Sequence, residues 1–226
     1  MSNTTPAKHH RARRCATAFA VVLAMAISAS NVAQAQETRP MNPTQTSASE
    51  TLSARQQAIV PVAAFAAAGD MAQLNAALNQ GLDAGMTVSD AKEILVQLYA
   101  YAGFPRSLNA LGELMKVLDA RKQRGIQDAP GREPSRAIPK GDALLAAGTA
   151  NQTKLSGGPV EGPLFDFAPT ANEYLRTHLF GDIFERDNLD WQSRELATVG
   201  ALAATPGVEA QLRSHMAASM RVGAQL

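Results

Sequence analysis

From residue 52 onward, hydrophobic positions recur at the three- and four-residue intervals of amphipathic helices. In one such segment Leu74, Leu78 and Leu82 stand four residues apart, which places their side chains on one helix face. The segment ends at Gly85, a residue that favours the left-handed cap of a helix. The pattern predicts an all-α fold.

A helix is also predicted before this segment. Ser53 is an N-cap candidate, and the Ala-rich stretch after it keeps helical spacing to about Ala68. Pro61 lies inside this stretch and predicts a kink or a later start, because proline removes a backbone donor. Gly69-Asp70 then forms the turn between the two helices.

Two further helices are predicted after Gly85. The first, from Asp90 to about Gly103, contains the run ILVQLYAYA, which is apolar nearly all round and therefore predicts burial on more than one side. After a break at Gly103-Phe104-Pro105, an amphipathic helix resumes at Ser107 and continues to Arg121.

The last segment repeats the first, with a one-residue insertion at the turn. The matched pairs are Leu52 with Leu189, Ile59 with Leu196, Leu74 with Leu212, Leu78 with Met216, and Gly85 with Gly223. Chance similarity of two Ala-rich segments is the alternative, and the shared turn and terminal glycine argue against it. The second copy stops at Leu226 without a buried third helix, so it must pack on the first repeat, on another subunit, or on a piece outside this chain.

The N-terminus has the pattern of a secretory signal peptide over residues 1–35. Four cations without an acid precede the apolar run CATAFAVVLAMAISA, and Ala33-Gln34-Ala35 follows as a cleavage site. The run is too short for a permanent membrane anchor. We therefore expect an exported protein, periplasmic or secreted, with no membrane segment after cleavage.

The predicted organisation has four parts after the signal peptide. They are a flexible Pro/Thr/Ser-rich leader at 36–51, a first helical repeat at 52–121, a connector with short helices at 122–179, and a second, truncated repeat at 180–226.

Charge and cysteine content exclude several classes of function. The formal charge of +1 becomes about −3 when the four N-terminal cations are removed, which is no footprint for nucleic acid. The only cysteine, Cys15, lies in the signal peptide, so the mature chain has no thiol and no disulfide. It keeps two histidines, His178 and His215, which are too separated to form a recognisable metal set. We expect no metal and no cofactor.

Glu195 and His215 are the most informative candidates for chemistry. They lie ten residues before and ten residues after Thr205, at the turn of the second hairpin, and residues equidistant from such a turn lie at the same height. A carboxylate beside an imidazole can hold, orient or move a proton near neutral pH. The alternative is a structural ion pair, and the first repeat, with Ala58 and Ala77 at these positions, keeps the scaffold without it.

Four residues are candidates for substrate binding. Arg194 and Arg213 could clamp a carboxylate, although exposed arginines usually solvate a helix face. Tyr101 lies on the most buried predicted helix, where core packing is the alternative to a pocket wall. Trp191 shares the side of its helix with Glu195. His178, near a helix end, is expected to be a surface residue.

These segments resemble the carboxymuconolactone decarboxylase family. The hairpin Leu189 to Gly223, with Arg194-Glu195-Leu196 and Gln211-Leu212-Arg213-Ser214-His215, is similar to the family's conserved hairpin. Phe180-Gly181-Asp182-Ile183-Phe184 is similar to its lead-in, and Glu93 with YAYAGFP (99–105) to its next helix and break. The resemblance implies an alkylhydroperoxidase-D-like all-α fold that assembles into trimers or hexamers.

The resemblance also implies a choice between two chemistries. One branch of the family reduces peroxides with a Cys-x-x-Cys centre, but Thr205-Pro206-Gly207-Val208 stands at that place here, so this branch is disfavoured. The other branch includes cofactor-free decarboxylases, and we expect a carboxy-lyase-like enzyme for a small carboxylated or lactone substrate, with Glu195 and His215 as the proton-transfer pair. The export signal conflicts with that branch's cytoplasmic pathway and puts the usual substrate in doubt. A non-catalytic helical oligomer that binds a small molecule or partner is the alternative, and peroxidase-type antioxidant activity is a weaker one.

Overall fold

The computed structural model describes residues 52–224, and the predicted signal peptide and the predicted leader lie outside this range. The described part is entirely helical, which confirms the all-α prediction. Its helices are α1 (Ala54–Ala68), α2 (Met71–Asp83), α3 (Val88–Gln97), α4 (Tyr99–Gln123), α5 (Asp142–Ser156), α6 (Pro163–Phe167), α7 (Pro169–Tyr174), a π-helix (Leu175–Ile183), α8 (Trp191–Ala203) and α9 (Glu209–Arg221).

Helix α1 begins as the sequence predicts and then differs from it. Ser53 caps the helix in a capping box with Gln56, each residue bonding the other's backbone. The helix continues through Pro61, so the prediction of a later start was wrong. Its buried face, which includes Ile59 and Val62, packs on α8 and α2, and this tertiary packing outweighs the hydrogen bond lost at the proline.

The third helix ends at Gln97, earlier than the predicted end near Gly103, and the break predicted at Gly103 lies inside α4. Gly103 has φ 80° and ψ 160° inside α4, a backbone conformation that is costly for any residue with a Cβ. It leaves a short turn, Tyr99 to Ala102, ahead of the long remainder of α4. Two tyrosines, Tyr99 and Tyr101, therefore belong to this turn.

The main hydrophobic core is formed by helices α1–α4 together with α8. Helix α8 packs along α1, and Leu196 joins the buried leucines of α2 and α3 in one cluster. Gln97 of α3 donates hydrogen bonds of 2.8 Å to the carbonyl of Arg194 and to the hydroxyl of Thr198. The second hairpin thus packs on the first, which is one of the three possibilities expected for it.

A second, smaller core connects the connector region to the second hairpin. Its buried members are Leu155, Leu179, Phe180, Ile183, Phe184 and Ala218, from α5, the π-helix and its end, and α9. Tyr99, Tyr101 and Trp191 pack against its edge. These three aromatic residues carry polar atoms, and the candidate residues His178 and His215 lie beside two of them.

The connector is more ordered than its Pro and Gly content predicts. Helix α5 begins at Asp142, as the sequence predicts, but extends to Ser156 instead of ending near Ala150. It packs on the π-helix. The sequence did not predict the π-helix, because its i→i+5 hydrogen bonds have no distinctive residue pattern over so short a segment. In residues 52–224, no helix combines the length and the apolar character needed to cross a lipid bilayer.

Candidate functional site

The structure brings Glu195 and His215 into direct contact. Nδ1 of His215 lies 2.8 Å from Oε2 of Glu195, across the seam between α8 and α9. The Glu195 side chain is fully buried, whereas that of His215 is 16% exposed. An ionised carboxylate only accepts hydrogen bonds, so Nδ1 carries the proton and donates it. Nε2 is then the ring nitrogen that can exchange a proton with a substrate.

The second oxygen of Glu195 has no hydrogen-bond partner among the described residues, although it is buried. A buried carboxylate oxygen without a partner costs about 1–3 kcal/mol, so a purely structural role explains it poorly. A buried polar atom in this state needs an explanation, and a role in catalysis is one such explanation.

Tyr101 forms the third side of this site. Its ring meets the ring of His215 edge to face, with centroids 5.6 Å apart. Its hydroxyl is buried and also lacks a partner among the described residues. Burial and the nearby charge of Glu195 raise the pKa of Tyr101 well above its usual value, so the phenol keeps its proton and remains a donor.

Arg194 lies in the core and contributes to a buried charge network. Its side chain is fully buried, and Nη2 donates to Oε2 of Glu93 and to the carbonyl of Arg186, both at 2.9 Å. Burial alone would raise the pKa of Glu93, but hydrogen bonds from Arg186 and Arg194 outweigh burial and hold this pKa at about 2. The guanidinium of Arg194 is therefore engaged within the fold.

The two remaining substrate-binding candidates differ in position. Arg213 is exposed and lies two residues from His215, which places it about 200° around α9. Trp191 packs edge to face on Phe184 and donates a hydrogen bond of 3.2 Å from Nε1 to the Phe184 carbonyl. Because Trp191 precedes Glu195 by four residues, both lie on one face of α8.

Lys154 is a cation that the sequence reasoning missed. Its Nζ lies 4.5 Å from the centroid of the Trp191 ring, within the range of a cation–π contact. Helix α5, which carries it, packs on α9. The long separation of Lys154 from the second hairpin in the sequence left no signal for this contact.

His178 is half-exposed, as the sequence analysis expected of a surface residue, but it is not isolated. Its Nδ1 lies 2.8 Å from Oδ2 of Asp182, and its Nε2 shares a hydrogen bond with the hydroxyl of Tyr99. The spacing of four residues between His178 and Asp182 was visible in the sequence, whereas the contact with Tyr99 requires the fold.

Two open surface cavities lie away from the Glu195–His215 pair. One, of about 440 Å³, is lined by residues of α5, α6, α7 and the π-helix and by Glu161, which precedes α6. The other, of about 330 Å³, lies between α3 and α4 over Glu93 and Arg186. Of the two side chains of the pair, only that of His215 is open to solvent. Within residues 52–224, no group of three or more His, Cys, Asp or Glu side chains is arranged to hold a metal ion.

Comparison with known proteins relates the N-terminal helices to a known family. No curated protein matches the chain. Residues 43–115, about a third of the chain, match the family model of the Carboxymuconolactone decarboxylase family. The match begins within the predicted leader and ends inside α4, and Glu195 and His215 lie beyond it. Through its first three helices and most of the fourth, the chain is similar to the Carboxymuconolactone decarboxylase family.

Proposed function

We propose that this protein is a carboxymuconolactone decarboxylase-like, cofactor-free lyase that acts on a small carboxylated or lactone substrate. The observation that carries the proposal is the buried Glu195 carboxylate, bonded at 2.8 Å to Nδ1 of the partly exposed His215. This arrangement fixes the imidazole and leaves Nε2 to exchange a proton. The family similarity of residues 43–115 supports the scaffold and the class of reaction.

The reaction needs a proton at the carbon that loses its carboxylate. When the C–C bond to the carboxylate breaks, carbon dioxide leaves and the electron pair stays on the ring carbon, delocalised into the lactone carbonyl. The protonated His215 gives its Nε2 proton to that carbon, and Glu195 stabilises the imidazolium before the transfer. Solvent then returns the proton to His215 through its exposed edge.

Tyr101 and Lys154 fit supporting roles in this scheme. The ring of Tyr101, edge to face on His215, holds the plane of the imidazole that transfers the proton. Lys154, held over the Trp191 ring, supplies a positive charge for a substrate carboxylate. Of the two arginines expected to clamp the substrate, Arg194 is engaged with Glu93 and Arg213 lies on another side of α9.

Release of carbon dioxide from a panel of carboxylated lactones, including a carboxylated muconolactone, tests the proposal. We expect His215→Gln to lower kcat by about 10²–10⁴-fold, the usual contribution of a general acid or base, and Glu195→Gln to lower it by a smaller factor. Ser214→Ala, at the exposed neighbour of His215, serves as the matched control and should keep wild-type turnover. Circular dichroism and the oligomeric mass establish that each variant is folded.

Two outcomes would contradict the lyase proposal. One is wild-type turnover in a folded His215→Gln variant. The other is a wild-type protein that releases no carbon dioxide from any member of the panel.

The second candidate is a non-catalytic helical homo-oligomer, and one observation favours it. Leu108 and Met115, seven residues apart on α4, are 61% and 66% exposed, and Leu111 and Leu118 continue the same face while partly buried. Exposed apolar surfaces of this kind are typical of interaction sites. If the panel gives no turnover while the chain forms a trimer or hexamer, this candidate replaces the first.

A further inference from the structure

Asp182, His178 and Tyr99 form a hydrogen-bonded chain that the proposed lyase does not use. The carboxylate of Asp182 contacts Nδ1 of His178 at 2.8 Å, and Nε2 of His178 shares a hydrogen bond with the Tyr99 hydroxyl. The two rings lie with centroids 5.3 Å apart. The π-helix carries Asp182 and His178, and the first turn of α4 carries Tyr99.

The direction of the hydrogen bonds follows from the chemistry of the groups. An ionised carboxylate can only accept, so Nδ1 of neutral His178 donates to Asp182 and Nε2 is left with a lone pair. Tyr99 must then donate its O–H to Nε2. Acid, base and hydroxyl therefore stand in the order found in hydrolases that activate a nucleophile through an oriented histidine.

The cluster is open to solvent, unlike the Glu195–His215 pair. The side chains of His178 and Asp182 are 51% and 42% exposed. Burial and the charge of Asp182 raise the pKa of Tyr99 above its ordinary value, so the phenol keeps its proton at neutral pH. It needs a base at the moment of reaction, and His178 is placed to be that base.

Phe104 provides a surface for a flat substrate beside the hydroxyl. Its ring is stacked on that of Tyr99, with centroids 4.5 Å apart and planes within 4°, and its side chain is 59% exposed. An aromatic group can pack against such a ring. An ester with an aromatic leaving group could pack on the Phe104 ring, so aryl esters are the expected class of substrate.

We propose that Tyr99 is a nucleophile that accepts acyl groups from small aryl esters, with His178 as its base and Asp182 orienting the histidine. The Tyr99 oxygen attacks the ester carbonyl carbon while its proton passes to Nε2 of His178. The tetrahedral intermediate then breaks its bond to the aryl oxygen, which leaves with the proton from His178. The products are a phenol and O-acyl-Tyr99, and water attack assisted by His178 later releases the acid.

The test uses 4-nitrophenyl acetate with the full chain. We expect a burst of nitrophenol near one equivalent, a mass increase of one acetyl group, and peptide mapping that places the acetyl group on Tyr99. Tyr174, 66% exposed on α7, is the control tyrosine within the same molecule, and we expect its acetylation to be at least about 100-fold slower, the lower end of what a positioned base contributes. Tyr174→Phe should leave the burst unchanged.

Variants separate the proposed chain from general surface reactivity. His178→Gln should slow acetylation of Tyr99 about 100-fold, Asp182→Asn should slow it by a smaller factor, and Tyr99→Phe should abolish the burst. Equal labelling of Tyr99 and Tyr174, or an unchanged rate in folded His178→Gln, overturns the proposal. So does loss of the burst in His215→Gln, which would assign the reaction to the other histidine. If Tyr99 and His178 act as proposed, His215→Gln keeps the burst even though it impairs the lyase. The two proposals can therefore be contradicted separately.

Discussion

Replacing Glu93 by Gln is expected to destabilise the protein by about 3–5 kcal/mol, the cost of leaving a buried charge without its partner. Glu93 is 4% exposed and receives hydrogen bonds from two guanidinium groups, including that of the fully buried Arg194. Glutamine keeps the shape of the side chain but removes the negative charge. Chemical denaturation, followed by circular dichroism, measures the loss.

Glu113→Gln is the matched control for this substitution. Glu113 is also buried and forms an ion pair, but its partner Lys116 is 74% exposed and stays hydrated without it, and ion pairs open to solvent contribute about 0–1 kcal/mol. A difference of less than about 1 kcal/mol between the two variants would show that the Glu93 network contributes little, contrary to this prediction.

The same network predicts how stability depends on pH. The pKa of Glu93 is about 2 in the folded protein and near its ordinary 4.5 in the unfolded chain. The resulting stabilisation, roughly 3 kcal/mol at neutral pH, is therefore complete above pH 4.5 and is lost as the pH falls from 4.5 toward 2. Denaturation midpoints measured across this window should fall steeply in the wild type and less steeply in Glu93→Gln. Parallel curves for the two proteins would contradict the assignment.

The second large effect is expected from Gly148→Ala, where α5 meets the π-helix. A Cβ at this position would lie 1.7 Å from the backbone oxygen of Arg176 and 3.0 Å from the nitrogen of Gly181. Backbone atoms cannot move aside as a flexible side chain can, so we expect destabilisation of about 3 kcal/mol, at the upper end for overpacking. The displaced π-helix should also carry His178 and Asp182 away from Tyr99. Thermal unfolding and the rate of Tyr99 acetylation measure the two consequences.

Gly112→Ala is the control for this substitution. A Cβ at Gly112, also within a helix, meets no other atom within 4 Å, and alanine favours the helix by roughly 0.5–1 kcal/mol. The two glycine variants should therefore change stability in opposite directions. A Gly148→Ala protein as stable as the wild type would show that α5 and the π-helix separate at little cost.

Short sequence patterns predicted where helices begin and break, but they did not predict how those helices pack on one another. Ser53 was predicted as an N-cap from residue type alone, and the structure shows it capping α1. The break at Gly103 was likewise predicted from three adjacent residues. Pro61 misled because its cost is local, whereas the packing that outweighs it comes from α8, more than 100 residues later in the sequence.

The candidate site shows the same division. Equal distance from a turn placed Glu195 beside His215, because a hairpin converts sequence spacing into height. The environment of Arg194 could not be read in this way, since it depends on Glu93, 101 residues away. His178 and Tyr99, 79 residues apart, show that a contact between distant segments has no periodic trace in either.

The π-helix holds His178 and Asp182 in place beside Tyr99, and its own form depends on the rest of the fold. Its wider turns are rarely favoured by short-range interactions and are maintained by their surroundings, here the close approach of α5. A synthetic peptide spanning residues 169–187 would contain His178 and Asp182 without the support that holds them in this form. The arrangement of these two side chains is thus a property of the assembled tertiary structure and would not be transferred by grafting the segment onto another scaffold.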